Sequence, residues 1–268
     1  MIAAERRELI LQKVKVNKFV SIQELSKEFD ITEMTIRRDL DFLTRQGLIK
    51  RSHGGALNND KVGQESQFDS RMKELSDIKE LIGKKAASLI SDGDCIAIDV
   101  GTTAFEVAHF IKHIKDLKVI TASIPVLNEL MDAPNVNVIC TGGELSIRDK
   151  SLIGNNAIST IQDYILDKVF IGVAGISFDF GFTMFNMQDT LVKRALIDRA
   201  REVIILADSS KIGLTRHAFF CKIEQANKII TDSGLSEEDY QEFINNGVEV
   251  IYADKERVDQ NERNDKNI

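Results

Sequence analysis

The chain has 268 residues, 43% of them apolar, enough to bury a sizeable core and to form two domains. A formal charge of −7 and a pI near 5.3 exclude a protein that coats nucleic acid over its whole surface. Residues 1–57 nevertheless hold 11 Lys+Arg against 8 Asp+Glu, a net +3 that leaves −10 for the remainder, so a basic head precedes an acidic body. No apolar run is long enough to cross a bilayer, and the start carries no leader pattern. Cys95, Cys140 and Cys221 are odd in number, far apart and set in apolar runs, which reads as reduced core cysteines of a cytoplasmic protein.

In chain order, residues 3–16 suit a first helix with Ile10, Leu11 and Val14 on one face. Ser21-Ile-Gln-Glu24 is a capping box that starts a second helix at about Ile22, with Leu25 and Phe29 continuing its inward stripe. Asp30-Ile31 makes a turn, and Thr32 is the expected N-cap of a third helix. There Ile36, Leu40 and Leu43 recur at i, i+4 and i+7 and face inward. Met34, Arg38, Asp41 and Arg45 point the opposite way, with Thr35 and Arg37 on the flanks. Asp39 turns inward, where its expected task is to hold an arginine. Gly47 ends the helix, Leu48–Arg51 reads as a strand, and His53-Gly54-Gly55-Ala56 as its hairpin return.

This is a winged helix-turn-helix pattern. Arg37 and Arg38 are candidates for guanine or phosphate, Thr35 for phosphate or base, and Met34 for a thymine methyl. Lys50 and Arg51 are candidate phosphate contacts of the wing, and Ser21, Thr32, Arg45 and His53 complete the expected DNA-binding set. A pair of arginines alone would read as a solvated helix face, and His53 beside two glycines is as often structural; the cap, turn and wing favour DNA contact.

Residues 58–64 are polar and lack periodicity, so 58–76 reads as a linker, with helical spacing resuming over 77–91. The body, 77–252, then alternates apolar strands with helices. The strands are Cys95–Val100, Lys118–Thr121, Val136–Cys140, Lys168–Ala174, Glu202–Ala207, Lys228–Thr231 and Val248–Tyr252; the helices are 103–113, 124–131, 188–200 and 236–246. That order predicts an α/β domain with a mostly parallel sheet covered on both faces, and a polar tail over 253–268. Ligands of such sheets bind at the carboxyl ends of strands. Asp99, Gly101, Thr102, Thr103, Ser123, Gly142, Gly143, Gly172, Asp208 and Ser209 stand there, with Lys193 and Lys211 able to complete an anion site. Singly, each is as consistent with an ordinary turn; five such segments at successive strand ends predict a pocket. No G-x-G-x-x-G or Walker sequence is present, so no cofactor is expected.

Arg6, Ile10, Val14, Thr32, Thr35, Ile36, Arg37, Arg38, Asp39 and Leu40, with the HGGA wing, stand at the spacing of the DeoR-type helix-turn-helix signature. The segments IDVGTT, TGGE, GVAGIS, LVKRALI and LADSSKIG resemble the sensor domain of the same family over nearly all of 77–252. The resemblance implies a fold similar to ribose-phosphate isomerase, a repressor that oligomerises as a homodimer or homotetramer, and an effector that is a phosphorylated sugar or related intermediate. It also implies a pocket lined by Asp99, Gly101, Thr102, Thr103, Gly142, Gly143, Lys193, Asp208, Ser209 and Lys211. The chain departs from the family at Leu191, two places before the lysine of LVKRALI, where an acidic residue is frequent. Gln188 replaces a common Glu, and residues 182–186 lack a Thr-Pro.

The leading expectation is therefore a regulator that binds a double-stranded DNA operator and answers to a small anionic effector. A second is an active sugar-phosphate isomerase with a DNA-binding appendage, using Lys193, Asp99 and Asp208, although no histidine–carboxylate pairing or nucleophile motif is visible. A third is a metal sensor built on His109 and His113, four apart on one helix, against which stands the lack of an H-E-x-x-H sequence.

Overall fold

Two units of chain gather their contacts separately, Met1–Glu65 and Ser66–Ile268. The computed structural model describes residues 3–17, 19–45, 48–52, 54–58 and 68–254. His53, Gly47, the Arg45 side chain, the central part of the expected linker (59–67) and the tail from 255 onward lie outside the described residues.

The head runs α1 (Ala3–Asn17), β1 (Phe19–Ser21), α2 (Ile22–Phe29), α3 (Glu33–Arg45), β2 (Ile49–Ser52) and β3 (Gly55–Asn58). The Ser21 hydroxyl accepts from Glu24 N at 3.1 Å, and the Glu24 carboxylate accepts from Ser21 N at 3.3 Å, so two orphan donors of α2 are satisfied reciprocally. Asp30 closes the helix in the left-handed region, φ 52°, where its short polar side chain is tolerated. Ile10, Val14, Ile22, Leu25, Ile36, Leu40, Leu43 and Ile49 meet in one core, as their spacing predicts. The added element is β1, three residues long and below the reach of any periodicity. It pairs antiparallel with β3, which also pairs with β2. Gly55 lies so close to β1 that an added Cβ would collide with the Val20 carbonyl oxygen.

Asp39 is only 1% exposed and accepts from Arg6 Nε at 2.6 Å and Arg7 Nε at 2.8 Å, which clamps α3 onto α1. Removing a buried carboxylate held by two guanidiniums leaves their charge without its partner. Asp39→Ala should therefore destabilise the head by about 3 kcal/mol, read as faster native-state hydrogen exchange of the α1 and α3 amides; exchange unchanged from the parent would contradict the clamp.

The body runs α4 (Phe68–Met72), α5 (Ser76–Ala87), β4 (Cys95–Ile98), α6 (Thr102–His109), β5 (Leu117–Thr121), α7 (Ile124–Leu130), β6 (Val136–Cys140), β7 (Glu144–Ser146), β8 (Ser151–Ile153), α8 (Asn155–Gln162), β9 (Leu166–Gly172), β10 (Gly175–Ser177), β11 (Gly181–Met184), α9 (Met187–Arg199), β12 (Ala200–Leu206), β13 (Ala218–Cys221), β14 (Lys228–Thr231), α10 (Glu237–Asn245) and β15 (Glu249–Tyr252). Seven strands form a wholly parallel sheet, ordered β15-β14-β12-β9-β4-β5-β6. The pleat sends Val169, Ile171, Val203, Ile205 and Ile229 to a layer with α8, α9 and α10, and Phe170, Ile204, Leu206 and Ile230 to a layer with α5, α6 and α7. Both faces are covered, which is why the strands read as continuous apolar runs.

Several sequence expectations need correction. Residues 68–72, assigned to the linker, form α4. The β7–β8 hairpin, α8 and the antiparallel sheet β10-β11-β13 are additional; their strands have three or four residues, too few to show alternation. β9 ends at Gly172 rather than Ala174. Cys140 is exposed, not core, because β6 is the sheet's outer strand. α6 stops at His109, so His113 lies beyond it; His109 instead faces Glu129 (Nδ1 at 3.1 Å) and Glu106 (Nε2 at 3.7 Å). Among the described residues no group of three or more His, Cys, Asp or Glu is arranged to hold a metal, and no helix is long and apolar enough to cross a membrane.

Candidate functional site

On the head, α3 presents Met34 (61% exposed), Arg37 and Arg38 outward, opposite the buried Ile36, Leu40 and Leu43. Thr32 Oγ1 accepts from Thr35 N at 3.3 Å and lies 3.0 Å from Thr35 Oγ1, so both threonines shape the first turn of this helix. Arg37 makes a long contact with Glu33 at 3.4 Å, while Arg38 and Lys50 form no ion pair among the described residues. Arg51 is half committed: its guanidinium lies 3.3 Å from Asp41 and donates to the Gly55 carbonyl at 3.4 Å, tying the wing to α3. Ser21 sits at the start of α2 in its cap.

On the body, the chain moves outward from β4 through β5 and β6 and then returns to place β9 on the other side of β4. The connections leaving β4 and β9 therefore diverge, and their carboxyl ends are the place where sheets of this kind take ligands. Asp99 and Gly172 stand at those two ends. Lys193, projecting from α9, donates to Asp99 Oδ2 and to the Gly172 carbonyl (2.9 Å), while Gly172 N donates to Asp99 Oδ2 at 3.1 Å. The two side chains are 1% and 2% exposed. Burial pushes the Asp99 carboxyl up from the usual carboxylate range, against the pull of the Lys193 ammonium and the backbone N–H groups.

The remaining expected residues stand at other strand ends and helix starts. Gly101 precedes α6 with φ 139°, no side chain caps that helix, and Thr102 and Thr103 form its first turn. Gly142 and Gly143 follow β6 with positive φ; at Gly143 a Cβ would strike the Ile153 carbonyl oxygen. Asp208 is buried: its Oδ1 accepts from Ser210, and its Oδ2 has no hydrogen-bond partner, the nearest cation being Lys211 Nζ at 3.6 Å. Ser209 is turned toward Asp232, donating to it from N (2.6 Å) and Oγ (2.8 Å). Ser123 is buried and caps α7, accepting from Val126 N at 3.4 Å.

Four further charged side chains are neighbours of these, Asp189 of Lys193 and Lys79 of Asp208 and Lys211, with Asp149 and Arg71 beside them. Asp189 lies one helical turn before Lys193 and accepts from Asn186 Nδ2 at 2.6 Å. Asp149, at the β7–β8 tip and buried, accepts from Arg71 Nη2 (2.8 Å) and Arg148 Nη2 (2.9 Å). Lys79 of α5 is buried, donates to the Arg71 carbonyl, and is lowered from 10.5 by burial and then by Lys211, while Asp208 opposes the change. Two of the four left a trace in the sequence. Asp189 is four places before Lys193, and Lys79 shares the inward face of α5 with Ile82 and Ala86. Arg71 and Asp149 come from stretches without periodicity.

Residues 6–62 match the family model described as a DeoR-like helix-turn-helix domain, and residues 74–233 match the DeoR C terminal sensor domain. The chain belongs to the DeoR family. An uncharacterised HTH-type transcriptional regulator of Bacillus subtilis is 35% identical to it over 88% of this chain and 91% of its own. The glycerol-3-phosphate regulon repressor of Escherichia coli is 34% identical over 85% of this chain and 90% of its own. Ribose 5-phosphate isomerase A of Methanocaldococcus jannaschii is similar over 51% of this chain and 54% of that one, at 17% identity and a TM-score of 0.38. This DeoR chain is a DNA-binding transcriptional regulator.

The DeoR departure at Leu191 has a structural counterpart. Leu191 is 43% exposed, whereas Asp189 supplies a carboxylate on the buried side of α9. Burial raises the Asp189 carboxyl from 3.8, the Asp149 charge raises it further, and Lys193 pulls it back. A group whose folded pKa is raised contributes stability below 3.8 and loses it as pH climbs through the folded value. Asp189→Asn keeps an acceptor for Asn186 without the charge. Its Tm relative to the parent should therefore rise from pH 4 to pH 7; a pH-independent difference would contradict this account of Asp189.

Proposed function

We propose that this DeoR regulator represses genes of sugar metabolism and is controlled by a phosphorylated sugar or related intermediate bound at the strand tips of its body. The observation that carries the reading is the buried Asp99–Lys193 pair at the sheet's switch point, ringed by carboxylates, lysines and glycine-led turns. Carboxylates suit sugar hydroxyls, and cations with backbone N–H groups suit a phosphate. The names of curated relatives point the same way, one being a repressor of a glycerol-3-phosphate regulon.

The pocket works here as a sensor without turnover. Asp99 and Lys193 neutralise each other, and Lys193 also serves the Gly172 carbonyl, which leaves neither as a mobile acid or base. Incubation with pentose and hexose phosphates yields no product in this reading. One head offers too few base contacts for a specific site, so the operator-binding species is a homodimer or homotetramer. The effector acts by binding one arrangement of the assembly better than another. A hundredfold ratio supplies about 2.7 kcal/mol of coupling, enough to change operator occupancy.

Two measurements test the reading. Arg38→Ala should cost about 1–3 kcal/mol of operator affinity without altering effector binding; undiminished affinity in a gel-shift titration would remove α3 from the DNA. A thermal-shift screen against sugar phosphates, polyol phosphates and nucleosides should show stabilisation by phosphorylated compounds alone, and Asp208→Asn should blunt it. Equal responses to phosphorylated and unphosphorylated compounds would overturn the phosphate preference.

A further inference from the structure

Lys193 is on the buried side of α9, but Leu191 is on the side that meets solvent. Met187, Leu191 and Arg194 follow one another at i, i+4 and i+7, so they form one stripe along the helix. Arg194 carries that stripe on to β13. Its Nη2 donates to the Phe219 carbonyl at 2.6 Å, and its guanidinium lies 5.7 Å from the centre of the Phe219 ring. In the small sheet β10-β11-β13 the pleat sends Phe182 and Phe220 inward, stacked at 6.1 Å, and leaves Phe219 outside. Gly181 lies against that ring, since a Cβ added there would come within 3.1 Å of it, and Phe180, 64% exposed, is next in the chain. Met187, Leu191, Phe219 and Phe180 are thus exposed along one path, and a groove of about 560 Å³ opens beside the two phenylalanines.

Single exposed apolar side chains need no explanation. A row of two phenylalanines, a leucine and a methionine around an arginine has the composition of the centre of a protein–protein contact. The charges on this row decide what fits it. Arg194 has no ion-pair partner among the described residues, and Asp179, exposed beside Phe180, has none either. Lys222 and Glu224, which also line the groove, already face each other at 3.5 Å. A partner of one sign, such as DNA, would leave one of the two unmatched charges repelled. A second copy of the same surface carries both signs and satisfies both.

We propose that two copies of this chain meet through the exposed face of α9 and β13 about a twofold axis. Each Arg194 then pairs with the partner's Asp179, and each Phe180 covers the partner's Leu191 and Phe219. The assignment rests on the reading of the operator-binding species as a homo-oligomer and names the surface that builds it.

Sedimentation velocity of the full-length protein tests this, with Leu191→Glu, Arg194→Glu and Asp179→Arg, each checked by circular dichroism and thermal melting for an intact fold. The parent should sediment as a homodimer or homotetramer, and each substitution should weaken association by about tenfold or more. Mixing Arg194→Glu with Asp179→Arg in equal amounts should restore it, because every contact in the mixed pair joins opposite charges. Damage to the fold of either chain could not be repaired by mixing. Variants that associate as tightly as the parent, or a mixture that stays dissociated, would overturn the proposal and leave the oligomer reading standing. A parent that sediments as a monomer would overturn both together.

Discussion

A carboxylate and an ammonium, both shielded from water, meet where the parallel sheet changes direction, and much of the body is arranged around them. Taking two such charges out of water costs several kcal/mol per ion unless each is fully solvated by protein. Asp99 has Lys193 and two backbone N–H groups; Lys193 has Asp99 and the Gly172 carbonyl. Those contacts demand that β4, β9 and α9 keep fixed relative positions. The requirement explains why α9, with a polar residue buried at its centre, still packs against the sheet through Val192, Ala195 and Leu196.

The head solves a related problem on a smaller scale. Asp39 faces inward with Arg6 and Arg7, and this inward pairing fixes the rotation of α3 about its axis. At about 100° per residue, that rotation directs Met34 and Arg38 away from the core. The outward face of α3 is thus specified by a buried ion pair as well as by the apolar stripe. Arg51 extends the same logic to the wing by reaching Asp41.

Much of this was legible in the sequence, for identifiable reasons. Ser21 and Glu24 announced a helix start because a capping box is local, and Ile36, Leu40 and Leu43 announced a face because helical periodicity is regular over three turns. The seven parallel strands showed as apolar runs since burial on both sides leaves no alternation to confuse. Three-residue strands such as β1, β7 and β10 carry no period, and β13 depends on a partner, β11, some forty residues away. At the site, Asp99 and Lys193 were named from strand ends and family resemblance. Ser123 and Ser209 looked equivalent to them in sequence, but one is occupied with capping a helix and the other is tied to Asp232. Arg71 and Asp149 escaped because their pairing spans 78 residues and neither flank is periodic.

The return of β9 beside β4 also orders events on the ribosome. The head's core closes with Ala56, whereas the ion pair at the switch point joins residues 94 apart and awaits Lys193. At ordinary rates of synthesis the interval is on the order of ten seconds. Throughout it, a nascent chain carries the helix-turn-helix without a finished body, and a message broken in that interval encodes a lone head with too few base contacts to hold a specific site.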